Sequence, residues 1–590
     1  MYSDDILLQV EKPGRYVGNE INMIVKDPDL VRTNFAFAFP DVYEVGMSHN
    51  GLQILYNLFN SYENVYCQRV FAPWSDMEAI MRAQNLPLKS LETFKPLAEF
   101  DFIGFTLQYE MTYTNILNML DLAGLPLRWL NRAEHHPIVC GGGPCAYNPE
   151  PLADFFDFFF IGEAEEAFLE VFNIHRDHQG TKLEFLEKIA GLQGIYVPAF
   201  YDVSYNGDGT IASFIPNNPH ASARIKKVLV RDMDKAYYPE KTLVPLIETV
   251  HNRVALEVFR GCIRGCRFCQ AGYIYRPHRD KQVDTLVTQA KNLLLSSGHE
   301  EISLLSLATN DYPYLNELVD KLNDCFAKEN ISISLPSLRI DAANQTVLEK
   351  VQKVRKSSLT FAPEGGSQKM RDIINKGISQ EEILEGARLA FEGGWDRLKL
   401  YFIIGLPFED DVDLQAIGKL VNDIIEIYYN LPKEKRKRPP SITISASCFI
   451  PKPFTPFQWF PQHSVEEFGV KQRIVKTSIN SKRANYKYHD ADISVLEGTL
   501  ARGDRRISHL IQAAWENGAR FDGWSEHFSW EKWQKAFSDT GLFLEFYNFR
   551  KREYDEILPW DFIDIGVPKD YLIKENQAAG TIGGGQIAGF

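Results

Sequence analysis

Three cysteines within eight residues constrain this chain of 590 residues more than any other feature. They follow Gly261 with the spacing Cys262-x₃-Cys266-x₂-Cys269. Three thiolates can hold three irons of a cubane cluster and leave the fourth iron open to a ligand. A structural zinc site would use four closed ligands, and His278 is the nearest candidate for a fourth. The spacing therefore predicts an open [4Fe–4S] site on the three cysteines.

The position of this triplet predicts where the site lies in the fold. It follows an apolar run at residues 255–259, which begins a series of strands alternating with helices. Further strands are predicted at residues 301–307, 331–335, 358–361, 397–404 and 441–449. Six βα units over about two hundred residues favour a partial (β/α)₆ barrel over a full one. Ligands on a loop after a strand then lie at the carboxyl-terminal face, where active sites occur.

An earlier βα series predicts a Rossmann-like, doubly wound parallel sheet over residues 31–194. Its strands are expected at residues 34–39, 65–71, 102–107, 137–140 and 156–161. Glycines after two of these strands would let a ligand approach the backbone at the binding edge of the sheet. We therefore expect cofactor contacts from Gly141, Gly142, Gly162 and Glu163. The alternative for Glu163 is a carboxylate that stabilises the start of the following helix.

The remaining segments complete an α/β organisation. Residues 1–30 are expected to be a polar lead-in, and residues 195–245 a β-rich connector with a hairpin at the sequence Asn206-Gly-Asp-Gly. Residues 246–460 hold the partial barrel, and residues 461–590 form a small mixed carboxyl-terminal region. The glycine-rich end from Gly580 is expected to be disordered.

Composition narrows the functional class. The chain is 45% hydrophobic and 24% charged, as globular proteins are, and no run of eighteen apolar residues predicts a membrane span. No signal peptide is evident, and eight scattered cysteines favour a reducing compartment, so we expect the cytoplasm. The net charge of −14 does not favour a broad nucleic-acid surface. The basic run at residues 433–438 is interpreted first as a solvated loop and second as an RNA contact.

The triplet, with Phe268 before its last cysteine, resembles the radical S-adenosylmethionine (radical SAM) superfamily. The resemblance implies that S-adenosylmethionine chelates the open iron and is cleaved on reduction to a 5′-deoxyadenosyl radical, with flavodoxin or ferredoxin as electron donor. It also implies binding roles for Phe268, Thr309, Asp311, Ser337, Arg339, Glu364, Ile403 and Gly405. Two departures stand out. The usual Gly-Gly-Glu after the second strand is absent, and Tyr401 replaces the first glycine of the fifth-strand adenine motif.

Residues 34–172 resemble the cobalamin-binding domain of one radical SAM subgroup, and residues 30–575 an uncharacterised group within it. The resemblance implies cobalamin as a third cofactor and methyl or sulfur-group transfer to a substrate that the sequence does not reveal. The axial-histidine pattern Asp-x-His-x-x-Gly is missing, because His49 lacks its Asp and the correct Gly spacing. His49 is interpreted first as a loop residue that forms hydrogen bonds and second as a metal ligand.

Several alternatives stay open. The Rossmann-like domain could be empty and only recognise substrate, or the chain could be a non-catalytic iron–sulfur protein acting on RNA or ribosomes. A second cluster on Cys67, Cys140 and Cys145, as in methylthiotransferases, does not match in spacing, and buried thiols are the favoured interpretation. No catalytic residue is predicted.

Overall fold

A computed structural model describes residues 2–326, 328–335, 359–436 and 438–584 of the chain. The fold is α/β with parallel sheets, as expected. Among the described residues, no helix combines the length and the apolar character that a bilayer crossing requires.

The first sheet contains six strands. They are β1 (Thr33–Phe39), β2 (Val65–Phe71), β3 (Phe102–Thr106), β4 (Ile138–Gly142), β5 (Phe158–Phe160) and β6 (Ile195–Tyr196). Their order is β2-β1-β3-β4-β5-β6, with β1 to β5 parallel and β6 antiparallel to β5. The order reverses direction between β1 and β3, which opens a crevice at the carboxyl ends of these strands.

Seven helices belong to this part of the chain. They are α1 (Asp4–Leu7), α2 (Tyr43–Met47), α3 (Asn50–Ser61), α4 (Ser75–Gln84), α5 (Tyr113–Leu122), α6 (Ala164–Asp177) and α7 (Lys182–Ala190). The strands are buried on both faces because helices cover both sides of the sheet. Within the expected lead-in, Tyr2, Ile6 and Tyr16 are buried in the core of this sheet. Glu20 also reaches into the same region and pairs with Arg69.

The connector forms the predicted hairpin. Its strands are β7 (Tyr201–Tyr205) and β8 (Ile211–Pro216), and β9 (Ile225–Lys226) follows. After β9, Val228 forms an isolated bridge with Gly162.

The cysteine triplet lies in a second α/β part. Its strands are β10 (Val254–Glu257), β11 (Phe259–Arg260), β12 (Arg279–Asp280), β13 (Glu301–Leu305), β14 (Ser332–Ser334), β15 (Leu359–Glu364), β16 (Arg397–Ile404), β17 (Ser441–Cys448) and β18 (Ala484–Tyr488). Its helices are α8 (Ala271–Ile274), α9 (Val283–Ser297), α10 (Leu315–Cys325), α11 (Gln368–Ile373), α12 (Gln380–Glu392), α13 (Asp411–Asn430) and α14 (Val465–Ser478).

These strands form parallel sheets in the orders β10-β13-β14 and β15-β16-β17-β18, and β11 pairs with β12 in an antiparallel ribbon. Strand β18 extends the second sheet beyond residue 460 by one βα unit. Residues 336–358, between the two sheets, lie outside the described residues, and the expected ligands Ser337 and Arg339 are among them.

The carboxyl-terminal part joins the other two. It contains α15 (Ala491–Arg502), α16 (Ile507–Glu516), α17 (Trp530–Thr540), β19 (Ile563–Asp564) and α18 (Lys569–Ile582). Leu496, Leu510 and Trp533 pack into the core of the first sheet, and β19 pairs with β9. The expectation of disorder from Gly580 is wrong for residues 580–582, which continue α18 because Ala579 and Gly580 are buried.

Candidate functional site

The cysteine loop begins directly after β11 and ends at α8. Gly261 has φ of 85°, and a Cβ atom there would lie 2.4 Å from the carbonyl oxygen of Pro277. Only glycine fits this close approach, so the turn into Cys262 depends on it. The loop is thereby folded against the segment that follows α8.

The three thiols lie together on this loop. Cys262, Cys266 and Cys269 are half-buried, and none forms a disulfide. Burial, together with the neighbouring Cys266 and Cys262, raises the pKa of the Cys269 thiol to about 12. His278 hydrogen-bonds to Asp280, with 2.6 Å between its Nε2 and the carboxylate Oδ1. No group of three His, Cys, Asp or Glu side chains in the described ranges is spaced to hold a single metal ion.

Two arginines within the loop fix its backbone. Arg264 forms a two-pronged ion pair with Asp311, which lies after β13, and its backbone N–H lies 3.4 Å from the Cys262 sulfur. Arg267 donates from its backbone to the carbonyl of Ile374, at 2.9 Å. Asp311, expected to contact S-adenosylmethionine, is thus engaged with the loop itself. Thr309 is fully buried and lies 3.0 Å from the hydroxyl of Ser306.

An apolar group adjoins the loop on one side. Phe268 and Ile403, expected at the adenine, pack into one cluster, whose buried members are Met370, Ile373, Ile374, Leu406, Phe449, Phe457 and Ala579. Gly405 has φ of 78°, and its N–H donates to the Glu409 carboxylate at 2.7 Å. Burial raises the pKa of Glu409 to about 7, against the opposing charge of Lys471 at 3.2 Å. The structure therefore brings Phe268 and Ile403 to one apolar cluster beside the cysteine loop, while the neighbours of Gly405 are Phe468 and His463.

Glu364 ends β15 with φ of 66°, after a break in the strand register. Its carboxylate lies 3.1 Å from the Lys376 ammonium. The pKa of Cys269 is raised mainly by burial, and the nearby positive charge of Lys376 opposes this shift. Glu364 is therefore paired with a lysine that lies near the cysteine loop.

A cavity of about 730 Å³ lies between the first sheet and the cysteine loop. On the sheet side it is lined by residues that follow β1, β3, β4 and β5, including His49, Gln108, Gly142 and Gly162. On the other side it is lined by residues of both ends of the loop and of the β13 end, among them Phe259, Gly261, Tyr275, Leu305 and Leu307. This volume suits an organic cofactor or substrate, and it occupies the crevice where the strand order reverses.

Gly141, Gly142 and Gly162, the glycines expected to contact a cofactor, all line the cavity. They differ in how closely other atoms pack against them. A Cβ at Gly142 would meet nothing closer than 3.5 Å. A Cβ at Gly141 would meet Leu107 and Phe156 at 2.9 Å, and one at Gly162 would meet the Val228 carbonyl at 2.3 Å. Packing thus accounts for Gly141 and Gly162, while Gly142 leaves its backbone open beside the cavity.

Glu163 is the residue whose partner the sequence did not suggest. Its carboxylate forms two hydrogen bonds of 2.7 Å with Arg279 and lies 3.5 Å from Arg260. Arg260 also pairs with Glu165, at 2.5 Å. These ion pairs join the start of α6 to the two strands that flank the cysteine loop. Glu163 is therefore a link between the two α/β parts at the wall of the cavity.

His49 serves as a helix cap. Its Nδ1 accepts the N–H of Leu52 at 3.1 Å at the start of α3, so the ring proton lies on Nε2. The side chain of Gln108 is hydrogen-bonded to the same ring, and burial lowers the pKa of His49 to about 4. Because both ring nitrogens are engaged, His49 does not offer a free lone pair to a metal.

Of the three other cysteines considered for a second cluster, Cys67 lies far from Cys140. Cys67 lies on β2 and Cys140 on β4, and β1 and β3 separate these strands. Three strand spacings correspond to roughly 14 Å. Burial raises the pKa of Cys67, Cys140 and Cys145, as expected for thiols packed in a core.

Two family models match the chain. The description "Radical SAM proteins, N-terminal" matches residues 51–198, and "Radical SAM superfamily" matches residues 256–421, which include all three cysteines of the loop. Together the matches cover more than half of the chain. The chain belongs to the radical SAM superfamily. It is an enzyme of this superfamily, and the matches leave its reaction type open.

Similar proteins include an uncharacterized protein of Methanocaldococcus jannaschii, 26% identical over 86% of this chain and 97% of that protein. A putative methylthiotransferase of the same organism is 26% identical over 27% of this chain and 37% of its own length. The chain thus spans nearly all of the first relative and about a third of the second.

Among solved structures, the radical SAM methyltransferase TsrM of Kitasatospora setae, with cobalamin and a [4Fe–4S] cluster bound, is 12% identical. The match covers 70% of this chain and 75% of TsrM, with a TM-score of 0.48. The cobalamin-dependent enzyme OxsB, with aqua-cobalamin and S-adenosylmethionine bound, is 12% identical over 93% of this chain and 79% of its own, with a TM-score of 0.47.

Proposed function

We propose that this radical SAM enzyme binds a [4Fe–4S] cluster on Cys262, Cys266 and Cys269, S-adenosylmethionine beside it, and cobalamin in the 730 Å³ cavity. The reaction proposed is methyl or sulfur-group transfer to a substrate carbon. The observation that carries the proposal is that one cavity joins the ligand crevice of the Rossmann-like sheet to both ends of the cysteine loop.

The donor set fits the cluster. Three half-buried thiols share one loop, and His278 is held by Asp280. Burial and the neighbouring Cys266 and Cys262 raise the pKa of Cys269, and the positive charge of the irons would favour its thiolate form. When bound, the reduced cluster supplies the electron that cleaves S-adenosylmethionine, and this cleavage begins the radical chemistry.

The chain itself orients the reactants. Phe268 and Ile403 present apolar surface for the adenine, and the turn at Gly405 is held by Glu409. Arg264 and Asp311 brace the loop from the opposite side. The position of the cavity between two α/β parts shields part of it from solvent, which would help to protect a reactive radical from quenching.

The proposed setting is the cytoplasm, with an electron donor such as flavodoxin or ferredoxin. All eight cysteines lie within the described residues and none forms a disulfide, which suits a reducing compartment.

The test is anaerobic reconstitution of the full chain with iron and sulfide, followed by S-adenosylmethionine and a low-potential reductant. We expect 5′-deoxyadenosine by mass spectrometry, and one cobalamin per chain by absorbance. A full cluster without 5′-deoxyadenosine would overturn the enzyme proposal. A cluster and 5′-deoxyadenosine without cobalamin uptake would instead favour an empty Rossmann-like domain that recognises substrate.

A further inference from the structure

The carboxyl-terminal helix α18 lies against the cysteine loop, more than 300 residues away in sequence. The helix is held in place by Asn576, which is buried and donates to the carbonyl of Pro456 at 2.6 Å. The hydroxyl of Tyr554 donates to the same side chain at 2.6 Å. The position of α18 is thus fixed by contacts outside the cysteine loop.

An ion pair connects this helix to the middle of the loop. The Nε of Arg267 donates to the Glu575 carboxylate at 3.0 Å. Its Nη1 donates to the carbonyls of Asp372 and Ile373 at 3.2 and 2.7 Å, at the end of α11. Arg267 is buried, so its charge depends on Glu575 and on these carbonyls for compensation.

Apolar contacts continue along the same face of α18. Ala579 is fully buried in the cluster that includes Phe268 and Ile403. At the end of the helix, a Cβ on Gly583 would lie 2.6 Å from the ring of Phe408. Along α18, the turn at Glu575 thus faces the cysteine loop, and the turns at Ala579 and Gly583 face the side where the adenine is expected.

We infer that α18 is a wall of the S-adenosylmethionine site and that Glu575 is a positioning residue for the cysteine loop. Arg267 stands between Cys266 and Cys269 and directly before Phe268, so its anchoring sets both a thiol spacing and the orientation of an aromatic ring. This inference rests on the proposed function. It gives the carboxyl-terminal region a role in cofactor binding.

The test compares Glu575→Gln with the matched control Lys574→Gln in the full-length protein. Lys574 is the exposed neighbour on the same helix. Hydrogen–deuterium exchange of residues 262–274 is measured before reconstitution. Iron content and the equilibrium affinity for S-adenosylmethionine are measured after it. Exchange needs neither cofactor nor activity, so it tests the positioning role even if the proposed function fails.

We expect exchange in residues 262–274 to be three- to tenfold faster in Glu575→Gln, because a charge-assisted hydrogen bond to a buried guanidinium is weakened. The affinity for S-adenosylmethionine should fall by a similar factor, while Lys574→Gln matches the wild type. Wild-type exchange and affinity in Glu575→Gln would overturn the inference.

Glu575→Asp covers the case in which Glu575→Gln does not fold. It keeps the charge and shortens the side chain by one methylene. Weaker binding of S-adenosylmethionine at normal iron content would support the positioning role, and wild-type binding would refute it.

Discussion

Replacing His49 by asparagine tests whether this residue is a buried cap or a metal ligand. The ring Nδ1 accepts the Leu52 N–H, and Gln108 is hydrogen-bonded to the ring. Protonation would place an N–H against an N–H at the start of α3. Asparagine is a good N-cap residue, so His49→Asn keeps the cap and removes the titrating group.

The magnitude follows from the pKa of His49. Burial lowers this pKa from 6.5 to about 4 in the folded protein. Above pH 6.5, His49 is neutral in both the folded and the unfolded protein, so its burial does not reduce the free energy of unfolding. As the pH falls, the unfolded chain takes up the proton first, so stability is lost until the pH passes about 4. The full loss is about 3 kcal/mol, of which about 2 kcal/mol has occurred at pH 5.

The assay is urea unfolding of the cofactor-free protein at pH 7.5 and pH 5.0, with exposed His220→Asn as the control. At pH 7.5 we expect His49→Asn to lie within about 1 kcal/mol of the wild type. Between the two pH values, the wild type and His220→Asn should each lose about 2 kcal/mol more than His49→Asn does. A parallel loss in all three proteins would refute the argument from burial and capping. Cobalamin uptake by His49→Asn should equal that of the wild type, and loss of uptake would show that His49 is a ligand.

Three further substitutions test other parts of the site. Cys266→Ala should abolish the charge-transfer absorption of the cluster, whereas Cys325→Ala, at an exposed position, should keep it; a band that survives in Cys266→Ala would contradict the ligand assignment. Gly162→Ala should destabilise the protein by about 2–4 kcal/mol, because φ is 119° and Val228 is too close for a Cβ. Gly191→Ala, where a Cβ meets nothing within 4 Å, is its neutral control in thermal unfolding. Glu163→Gln should lower the free energy of unfolding by about 3 kcal/mol, because Arg279 loses its carboxylate partner. Glu166→Gln, at an exposed position, should leave the free energy of unfolding unchanged. Equal values for the two variants would show that the link between the two α/β parts is weak.

The strands of the first sheet could be predicted because their signal is local. Val65–Phe71 has the predicted bounds, and Thr33–Phe39 differs by one residue. Such strands are buried on both faces and stand out as apolar runs between turns. The bounds of α18 could not be found in this way. Its glycines and alanines resemble a disordered tail, and their burial depends on contacts with the distant Phe268 and Phe408.

At the site, too, features with a sequence signal could be predicted, and contacts between distant residues could not. The family resemblance implies which residues surround the cysteine loop, and two of them, Phe268 and Ile403, pack against one apolar cluster. It does not predict which ion pairs hold the cysteine loop in place. Asp311 has the acidic character expected of a ligand, yet its partner Arg264 stands 47 residues earlier and on the loop itself. An acidic side chain near a cationic ligand and one that pairs with an arginine look alike in sequence, because only the fold reveals the partner.

The glycines of the first sheet also depend on partners that are distant in sequence. A glycine after a strand is needed either where a ligand approaches the backbone or where another chain segment does. At Gly162 the approaching atoms belong to Val228, 66 residues later, whereas at Gly142 no atom would come closer than 3.5 Å to a Cβ. Gly142 is therefore the position where a larger side chain would enter the cavity without disturbing the fold. Gly142→Ala should leave thermal unfolding unchanged and weaken cobalamin uptake, and unchanged uptake would argue that cobalamin does not approach this edge.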